Sequence, residues 1–130
     1  MKLHRLYKRD KSQEIFVFGS NLAGRHGAGA ALHAWKFEGA VTGIGEGLQG
    51  TSYAIPTKDY SIMPRKLSDI QKSVEKFLAF ASDNMDRYTF FVTPIGCGLA
   101  GFRPSQIAPM FRGSSKNVHL PEEFLLWLNH

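Results

Sequence analysis

Two glycine-rich segments carry the residues of this chain that could bind an anion. The first glycine loop, residues 19–29, contributes Gly19, Ser20, Asn21, Gly24, His26, Gly27, Ala28 and Gly29. The second glycine loop, residues 96–102, contributes Gly96, Cys97, Gly98, Leu99, Ala100, Gly101 and Phe102. Each loop follows a short apolar run, and glycine lets the backbone approach a ligand closely. Because free backbone N–H groups in such loops bind phosphate, we expect the two loops to clamp a diphosphate.

Three polar side chains have both a functional and a structural interpretation. Asn21 could bond a ribose hydroxyl or cap a turn, and its context favours the ligand. His26 could act as a general base or phosphate donor, or lie in solvent, and its context does not separate the two. Lys58 ends a predicted strand and could be a nucleophile if burial lowered its pKa, although such a lysine is more often solvated or attracts phosphate.

Four further residues have a structural interpretation beside the chemical one. The N–H donors around Cys97 could lower its pKa, but no histidine is positioned to activate it, so a small residue fitting the turn is favoured. Phe102 could stack on a ribose or base, or pack beneath its loop. Asp59 is interpreted as a turn residue. Glu46, among the glycines of residues 37–50, could contact ribose hydroxyls or serve solubility.

Composition bounds the class of protein. The chain has 130 residues, of which 43% are hydrophobic and 12% aromatic, and this predicts one globular domain. No apolar run approaches the roughly 20 residues of a membrane helix. The first eleven residues lack the apolar core of a secretory signal. Cys97 is the only cysteine, so no internal disulfide can form. We therefore expect a cytoplasmic protein with no membrane partner.

The charge of the chain favours an anionic partner. Its formal net charge is +5, and residues 1–12 form a basic segment. A solvated strand end explains this segment more simply than nucleic-acid contact does, but a basic nucleic-acid-binding domain stays as an alternative. The five histidines are scattered without a zinc-binding spacing, so neither a metal nor another cofactor is expected.

Alternating strands and helices are expected to position the two glycine loops. Apolar runs predict strands at residues 14–18, 52–56, 88–93 and 116–120. Helices are predicted at residues 27–35, from Leu67 with Ser68 as N-cap, and at residues 104–111 and 121–128. Residues 37–50 are interpreted as a glycine-rich connector, residues 58–65 as a polar loop, and Trp35 and Trp127 as core residues. The order predicts an α/β protein with a largely parallel sheet, in which strand 88–93 is central.

The predicted topology brings the two loops together. Ligands of parallel α/β sheets bind beyond the carboxyl ends of the strands, and both glycine loops directly follow predicted strands. The chain contains neither a Gly-x-x-x-x-Gly-Lys-Ser/Thr P-loop nor a Gly-x-Ser-x-Gly nucleophile elbow, and residues 24–29 do not follow the Rossmann glycine order. A P-loop nucleotidase and an esterase are therefore disfavoured, and the loops are expected to form one shared crevice.

The order of these motifs resembles the macrodomain family, whose α/β modules bind ADP-ribose. Residues 18–21 resemble that family's Asn-x-x-Asn strand end, with Asn21 in the second asparagine position and Phe18 in the first. Residues 25–32 resemble its glycine-rich ribose loop and following helix, residues 50–58 its next strand, and residues 95–104 its diphosphate loop. The resemblance covers about residues 14–112 and implies a three-layer α/β/α fold.

One branch of that family has the greatest likeness to this chain. Thr57-Lys58 and the Ile-Gly-Cys-Gly-Leu run at residues 95–99 resemble the branch that removes ADP-ribose from acidic side chains of proteins. There a lysine attacks the ribose and an aspartate completes turnover, which implies these roles for Lys58 and for the position of Ala100. Alanine at this position implies slow release or binding alone. No aspartate stands where that family reads adenine, so the ligand is expected to be ADP-ribose or a relative of it.

We therefore expect a crevice, formed by residues 19–29 and 96–102, that binds ADP-ribose or an ADP-ribosylated protein or metabolite. Backbone amides of both loops would hold the diphosphate, with Asn21 and Phe102 beside the distal ribose. An enzymatic version would hydrolyse ADP-ribosyl linkages with the assistance of Lys58 or His26. A non-catalytic version would read or sequester the ADP-ribosyl group, and Ala100 favours binding or slow turnover.

Overall fold

A mixed sheet of five strands forms the centre of the computed structural model, which describes residues 11–128. The strands are β1 (Glu14–Asn21), β2 (Gly47–Gln49), β3 (Ser52–Lys58), β4 (Thr89–Val92) and β5 (Val118–His119). The helices are α1 (Gly29–Phe37), α2 (Leu67–Asp83), α3 (Pro104–Ile107) and α4 (Glu122–Leu125). Two 3-10 helices, Lys11–Gln13 and Ala108–Phe111, precede β1 and follow α3.

The strand order is β2-β3-β1-β4-β5. β1 pairs in parallel with β3 and β4, β4 pairs in parallel with β5, and β2 runs antiparallel to β3. The prediction of an α/β protein with a largely parallel sheet is therefore confirmed. The middle position belongs to β1, and β4 is the interior strand beside it. As a result, the carboxyl ends of β3, β1 and β4 lie next to one another at one edge.

The two faces of β1 belong to different core clusters, because side chains alternate along a strand. Ile15 and Val17 lie in the larger cluster, which includes Phe77 of α2. Phe18 lies in the smaller cluster, where Ala34 of α1 contributes a small side chain. Each face of the sheet thus packs against a helix, and the start of α1 is held close to the end of β1.

Three residues lie in different environments from those predicted. Ser68 lies inside α2, and the residue that precedes this helix is Lys66, whose carbonyl accepts the N–H of Ile70 at 3.1 Å. The backbone of Lys66 therefore starts the helix without a side-chain cap. Trp35 and Trp127 are 49% and 47% exposed rather than core residues. The inward face of α1 carries alanines, so the neighbouring Trp35 points away from the sheet.

Two segments also differ in secondary structure from the sequence-based expectation. Strand β2 lies within residues 37–50, which were interpreted as a connector, and it extends the sheet beyond β3. The predicted helix at residues 104–111 changes from α3 to a 3-10 helix near Pro109, which has no N–H to donate to an α-helical bond.

Residues 1–10 lie outside the described part of the chain, and with them most of the basic segment. Its contact with nucleic acid accordingly stays a prediction. Among the helices of residues 11–128, none combines the length and the apolar character that crossing a membrane requires.

Tyr53 should give the core a measurable pH dependence. Its ring packs against Phe77 and Phe80, with centroids 5.0 and 5.4 Å apart, and burial together with the nearby Glu46 carboxylate raises its pKa to about 12. A tyrosine in the unfolded chain has a pKa near 10. The stability that depends on neutral Tyr53 is therefore fully present below about pH 10 and is lost as the pH rises toward 12.

We expect Tyr53→Phe to lose less stability than the wild type between about pH 9 and pH 12, as measured by urea denaturation at each pH. Tyr60→Phe is the matched control, because Tyr60 is 71% exposed. It should follow the wild-type profile. Equal losses in the wild type and Tyr53→Phe would contradict the burial-based account.

Candidate functional site

A cleft of about 820 Å³ opens at the carboxyl ends of β1, β3 and β4. This volume is within the range of 300–1,000 Å³ that is common for small-molecule sites. The predicted residues that line it are Gly19, Ser20, Asn21, Gly27, Ala28, Gly29, Lys58, Gly96, Cys97, Gly98, Leu99 and Ala100. Gly24, His26, Gly101 and Phe102 do not line it. Both glycine loops thus contribute to one cleft.

The two glycine loops meet through their backbones at the floor of the cleft. A Cβ atom on Gly19 would lie 3.3 Å from the Gly96 nitrogen and 3.5 Å from the Ile95 Cα. Just before the second loop, Thr93 donates both its N–H and its hydroxyl to the Val17 carbonyl of β1, at 3.0 and 2.8 Å. A side chain at position 19 would therefore require the backbone around Gly96 to shift by a few tenths of an ångström.

The first glycine loop rests on residues 40–46 of the connector. Gly24 has a φ of +70°, and its carbonyl accepts the N–H of Gly43 at 2.9 Å. The Ser20 hydroxyl donates to the Gly45 carbonyl. A Cβ on Gly45 would overlap the carbonyl oxygen of Asn21. Gly24 therefore packs against the connector and does not line the cleft.

His26 is an anchor of the first loop. Its side chain is 6% exposed, its Nε2 lies 3.0 Å from the Val41 carbonyl oxygen, and its ring meets Phe18 edge-on at 5.4 Å. A carbonyl accepts only from a protonated nitrogen, so Nε2 is the donor in this contact. Neither interpretation from the sequence, a general base in the cleft or a solvated side chain, describes this buried position.

Asn21 lines the cleft but uses its amide within the loop. Its Nδ2 donates to the Arg25 carbonyl at 2.8 Å, and its Oδ1 accepts the Arg25 N–H at 3.0 Å. The pair of bonds closes the turn that leads into the glycine segment. Asn21 therefore has the turn-closing bonds that asparagine commonly forms, at a position next to the ligand space.

Backbone donors converge on the cleft from both loops. Among the hydrogen bonds of residues 11–128, none uses the N–H groups of Gly27, Ala28 and Gly29, or those of Gly98, Leu99 and Ala100. Gly29 also begins α1, whose N-terminal end carries a partial positive charge. Unpaired N–H groups beside a helix N-terminus form a suitable environment for an anion.

Charged side chains are distributed unequally along the cleft. Arg25 and Lys58 line it from the first loop and from the end of β3. Among residues 11–128, Glu123 in α4 is the only carboxylate in the lining. The excess of cationic groups favours a negatively charged ligand.

Cys97 is not an activated thiol. Burial, with a smaller contribution from the Glu123 carboxylate, raises its pKa. The expectation that nearby N–H donors could lower this pKa is therefore wrong. The favoured interpretation, a small residue in the turn, agrees with the position of its Sγ 3.5 Å from the Ile95 carbonyl oxygen.

Phe102 packs on the core side of the second loop. It is partly buried against the larger cluster, and its N–H donates to the Gly96 carbonyl at 2.8 Å.

Residues 96–101 also have a Gly-x-Gly-x-x-Gly spacing after a strand, but α3, which follows, has only four residues. The long helix of a dinucleotide-binding fingerprint is thus missing here.

The loop after β3 supplies a cleft residue that the sequence did not indicate. Asp59 accepts the N–H groups of Ser61 and Met63 at 2.8 and 3.0 Å, which confirms it as a turn residue. Ile62 in this turn lines the cleft beside Lys58 and has a φ of +65°. No sequence signal marks this position, because isoleucine rarely adopts a left-handed conformation.

Ten lining residues were not predicted as site residues, although some of them, such as Arg25 and Thr57, lie in the segments that carry the family resemblance. They are Arg25, Ala30, Ala31, Thr57, Ile62, Thr93, Pro94, Ile95, Pro104 and Glu123. Glu46, considered as a ribose contact, instead lies 3.7 Å from the Lys76 ammonium on α2 and does not line the cleft.

Within residues 11–128, no group of three histidine, cysteine or acidic side chains could hold a metal ion.

We compared the chain with known proteins by sequence. No protein-family model matches it, and no curated protein matches it significantly. The function must therefore be inferred from the residues and the geometry of the cleft.

The contact between the first loop and the connector predicts which glycines are structural. Gly45→Ala should destabilise the fold by about 1–3 kcal/mol, because its methyl group meets backbone that cannot rotate away. Gly27→Ala is the matched control, since a Cβ there would meet nothing within 4 Å. Thermal unfolding should show a lower Tm for Gly45→Ala and a Tm close to wild type for Gly27→Ala. Similar Tm values for both variants would contradict this assignment.

Proposed function

We propose that this protein binds ADP-ribose, or the ADP-ribosyl group of a larger molecule, through a macrodomain-like three-layer fold. The observation that carries the proposal is the convergence of two glycine loops, each with three unpaired backbone N–H groups, on one cleft that also contains Arg25 and Lys58. A diphosphate carries the charge and the oxygen acceptors that these groups require. The cleft volume of about 820 Å³ is also within the range of sites that hold ligands of this size.

The positions of the charged residues suggest an orientation for the ligand. Lys58 ends β3 and Glu123 lies in α4, which follows β5. Strands β3 and β5 are three strand spacings apart in the sheet, roughly 14 Å. The distal ribose would lie near Lys58, the diphosphate between the loops, and the base toward Glu123, whose carboxylate can accept a hydrogen bond from an amino group.

Binding without rapid turnover is the version of the function that we favour. Ala100, at the position where the resembling branch has aspartate, lines the cleft and has no group that transfers a proton. Asp59 lies next to Lys58, but its Oδ1 accepts two backbone N–H groups in the turn. Glu123 would be at the other end of the ligand. Asp59 also does not line the cleft, so among the described lining residues none next to Lys58 has a carboxylate for general acid–base chemistry.

Slow hydrolysis of an ADP-ribosyl ester is the second candidate function. The observation that favours it is the half-buried position of Lys58 in the cleft, beside the proposed site of the distal ribose. The neutral amine of Lys58 would form a bond to the ribose C1′ as the bond from C1′ to the carboxylate oxygen breaks, and the carboxylate would leave. Water would then cleave the C1′–N bond, which releases ADP-ribose and restores the amine.

Isothermal titration calorimetry tests the proposed binding directly. We expect micromolar affinity for ADP-ribose and much weaker binding of AMP, with NAD as a further control. Arg25→Ala should weaken ADP-ribose binding about tenfold, because it removes a charge-assisted phosphate contact. Raising the salt concentration should weaken binding as well.

The matched control is Lys116→Ala, which removes an exposed cation just before β5, away from the carboxyl ends of the strands. Its affinity should equal that of the wild type. If ADP-ribose produces no heat with the wild type, the loops serve another anion and the proposed function is wrong.

The two candidate functions differ in the effect of a carboxylate at position 100. On a glutamate-ADP-ribosylated peptide, the wild type should release ADP-ribose slowly or not at all. Ala100→Asp should raise the rate by about 10²-fold, the usual contribution of general acid–base catalysis. Chromatography of released ADP-ribose gives the rates. Ala100→Asn controls for size, and equal rates for the Asp and Asn variants would rule out the catalytic interpretation of this position.

A further inference from the structure

We infer that Ile62 determines specificity by forming an apolar wall against the terminal ribose of the bound ligand. The inference rests on the proposed function and assigns to one residue the recognition of the group beyond the diphosphate. Ile62 lines the cleft next to Lys58, at the end of β3.

The backbone of Ile62 adopts an unfavourable conformation. It is the only residue other than glycine in residues 11–128 with a positive φ, and its value is +65°. A β-branched side chain in this left-handed region is strained, and a loop under no other demand would have glycine or asparagine there. Strain of this kind concentrates at binding sites, where the surrounding structure enforces it.

The hydrogen bonds of Asp59 hold Ile62 in this conformation. The Ile62 N–H donates to the Asp59 carbonyl at 3.1 Å, and the Asp59 N–H donates to the Met63 carbonyl at 2.7 Å. The Asp59 carboxylate accepts the N–H of Met63 at 3.0 Å as well. These bonds enclose Ile62 from both sides, so the turn fixes its backbone before any ligand binds.

Within this turn, Ile62 differs from its large apolar neighbours. Tyr60 and Met63 are 71% and 59% exposed, and neither lines the cleft. Ile62 is partly buried and does line it. The strained residue is thus the one of these three that lines the ligand space.

The chemistry of isoleucine defines what it would contact. Its methyl and methylene groups cannot bond a phosphate, but they can cover the C–H groups of a sugar ring and exclude water from them. Phe102, which the sequence suggested for this contact, packs against the core instead. Ile62 should therefore contribute to the binding of ADP-ribose and not to that of AMP, which ends before the terminal ribose.

The test compares Ile62→Gly with the wild type in calorimetry and in thermal unfolding. Glycine accepts a φ of +65° without strain, so the Tm should equal or exceed the wild-type value. The affinity for ADP-ribose should fall about tenfold, while the affinity for AMP should not change. Ile62→Asn, which also tolerates the left-handed conformation, should behave in the same way, and Ile62→Val should keep most of the affinity.

Met63→Ala is the matched control, because it shortens an exposed side chain of the same turn, and it should bind ADP-ribose as the wild type does. A lower Tm with unchanged ADP-ribose affinity in Ile62→Gly would overturn the inference, since Ile62 would then serve only the loop. An equal loss of AMP affinity would overturn the assignment to the terminal ribose. If the wild type does not bind ADP-ribose, the proposed function fails, and this inference fails with it.

Discussion

The cleft depends on the close approach of two backbones, that of Gly19 at the end of β1 and that of Ile95 and Gly96 after β4. The distance of 3.3 Å from a Cβ on Gly19 to the Gly96 nitrogen leaves no room for a side chain without a shift of the strand ends. Parallel pairing of β1 with β4 brings the loops to the same edge, where the backbone of residues 95–96 lies within contact distance of a Cβ on Gly19. The glycine contact turns two neighbouring loops into one cleft with N–H groups on both walls.

The glycines of the two loops and of the connector have different structural roles, and the sequence alone does not distinguish these roles. Gly24 in the first loop and Gly45 in the connector face backbone atoms at distances that exclude a methyl group, and a Cβ on Gly19 would lie only 3.3 Å from backbone, so these glycines serve packing. Gly27 and Gly98 face open space in the cleft and leave their N–H groups unpaired. The first group fixes the shape of the loops, and the second group is available to a ligand.

The sequence predicted the large-scale organisation well and individual side chains less well, for physical reasons. Alternating apolar runs and glycine loops are local patterns, so the α/β class, the order of the elements other than β2, and the shared edge followed from them. The environment of a single side chain depends on residues distant in the chain. His26 is buried because Val41 and Phe18 lie beside it, and Phe102 packs inward because Gly96 leaves space for its ring. Ile62 lines the cleft because of a turn that Asp59 holds, and isoleucine is not a turn residue.

In the proposed complex, three kinds of interaction would each recognise a different part of the ligand. Backbone N–H groups provide position, because the connector holds the first loop and internal hydrogen bonds hold the second loop. Arg25 near the phosphates and Glu123 toward β5 provide orientation, since a reversed ligand would place the terminal ribose, and not the amino group of the base, beside the Glu123 carboxylate. Neither kind of interaction distinguishes ligands that share a nucleoside diphosphate but differ beyond it. That distinction requires a contact at the β3 end of the cleft, where the strained Ile62 presents an aliphatic side chain beside Lys58.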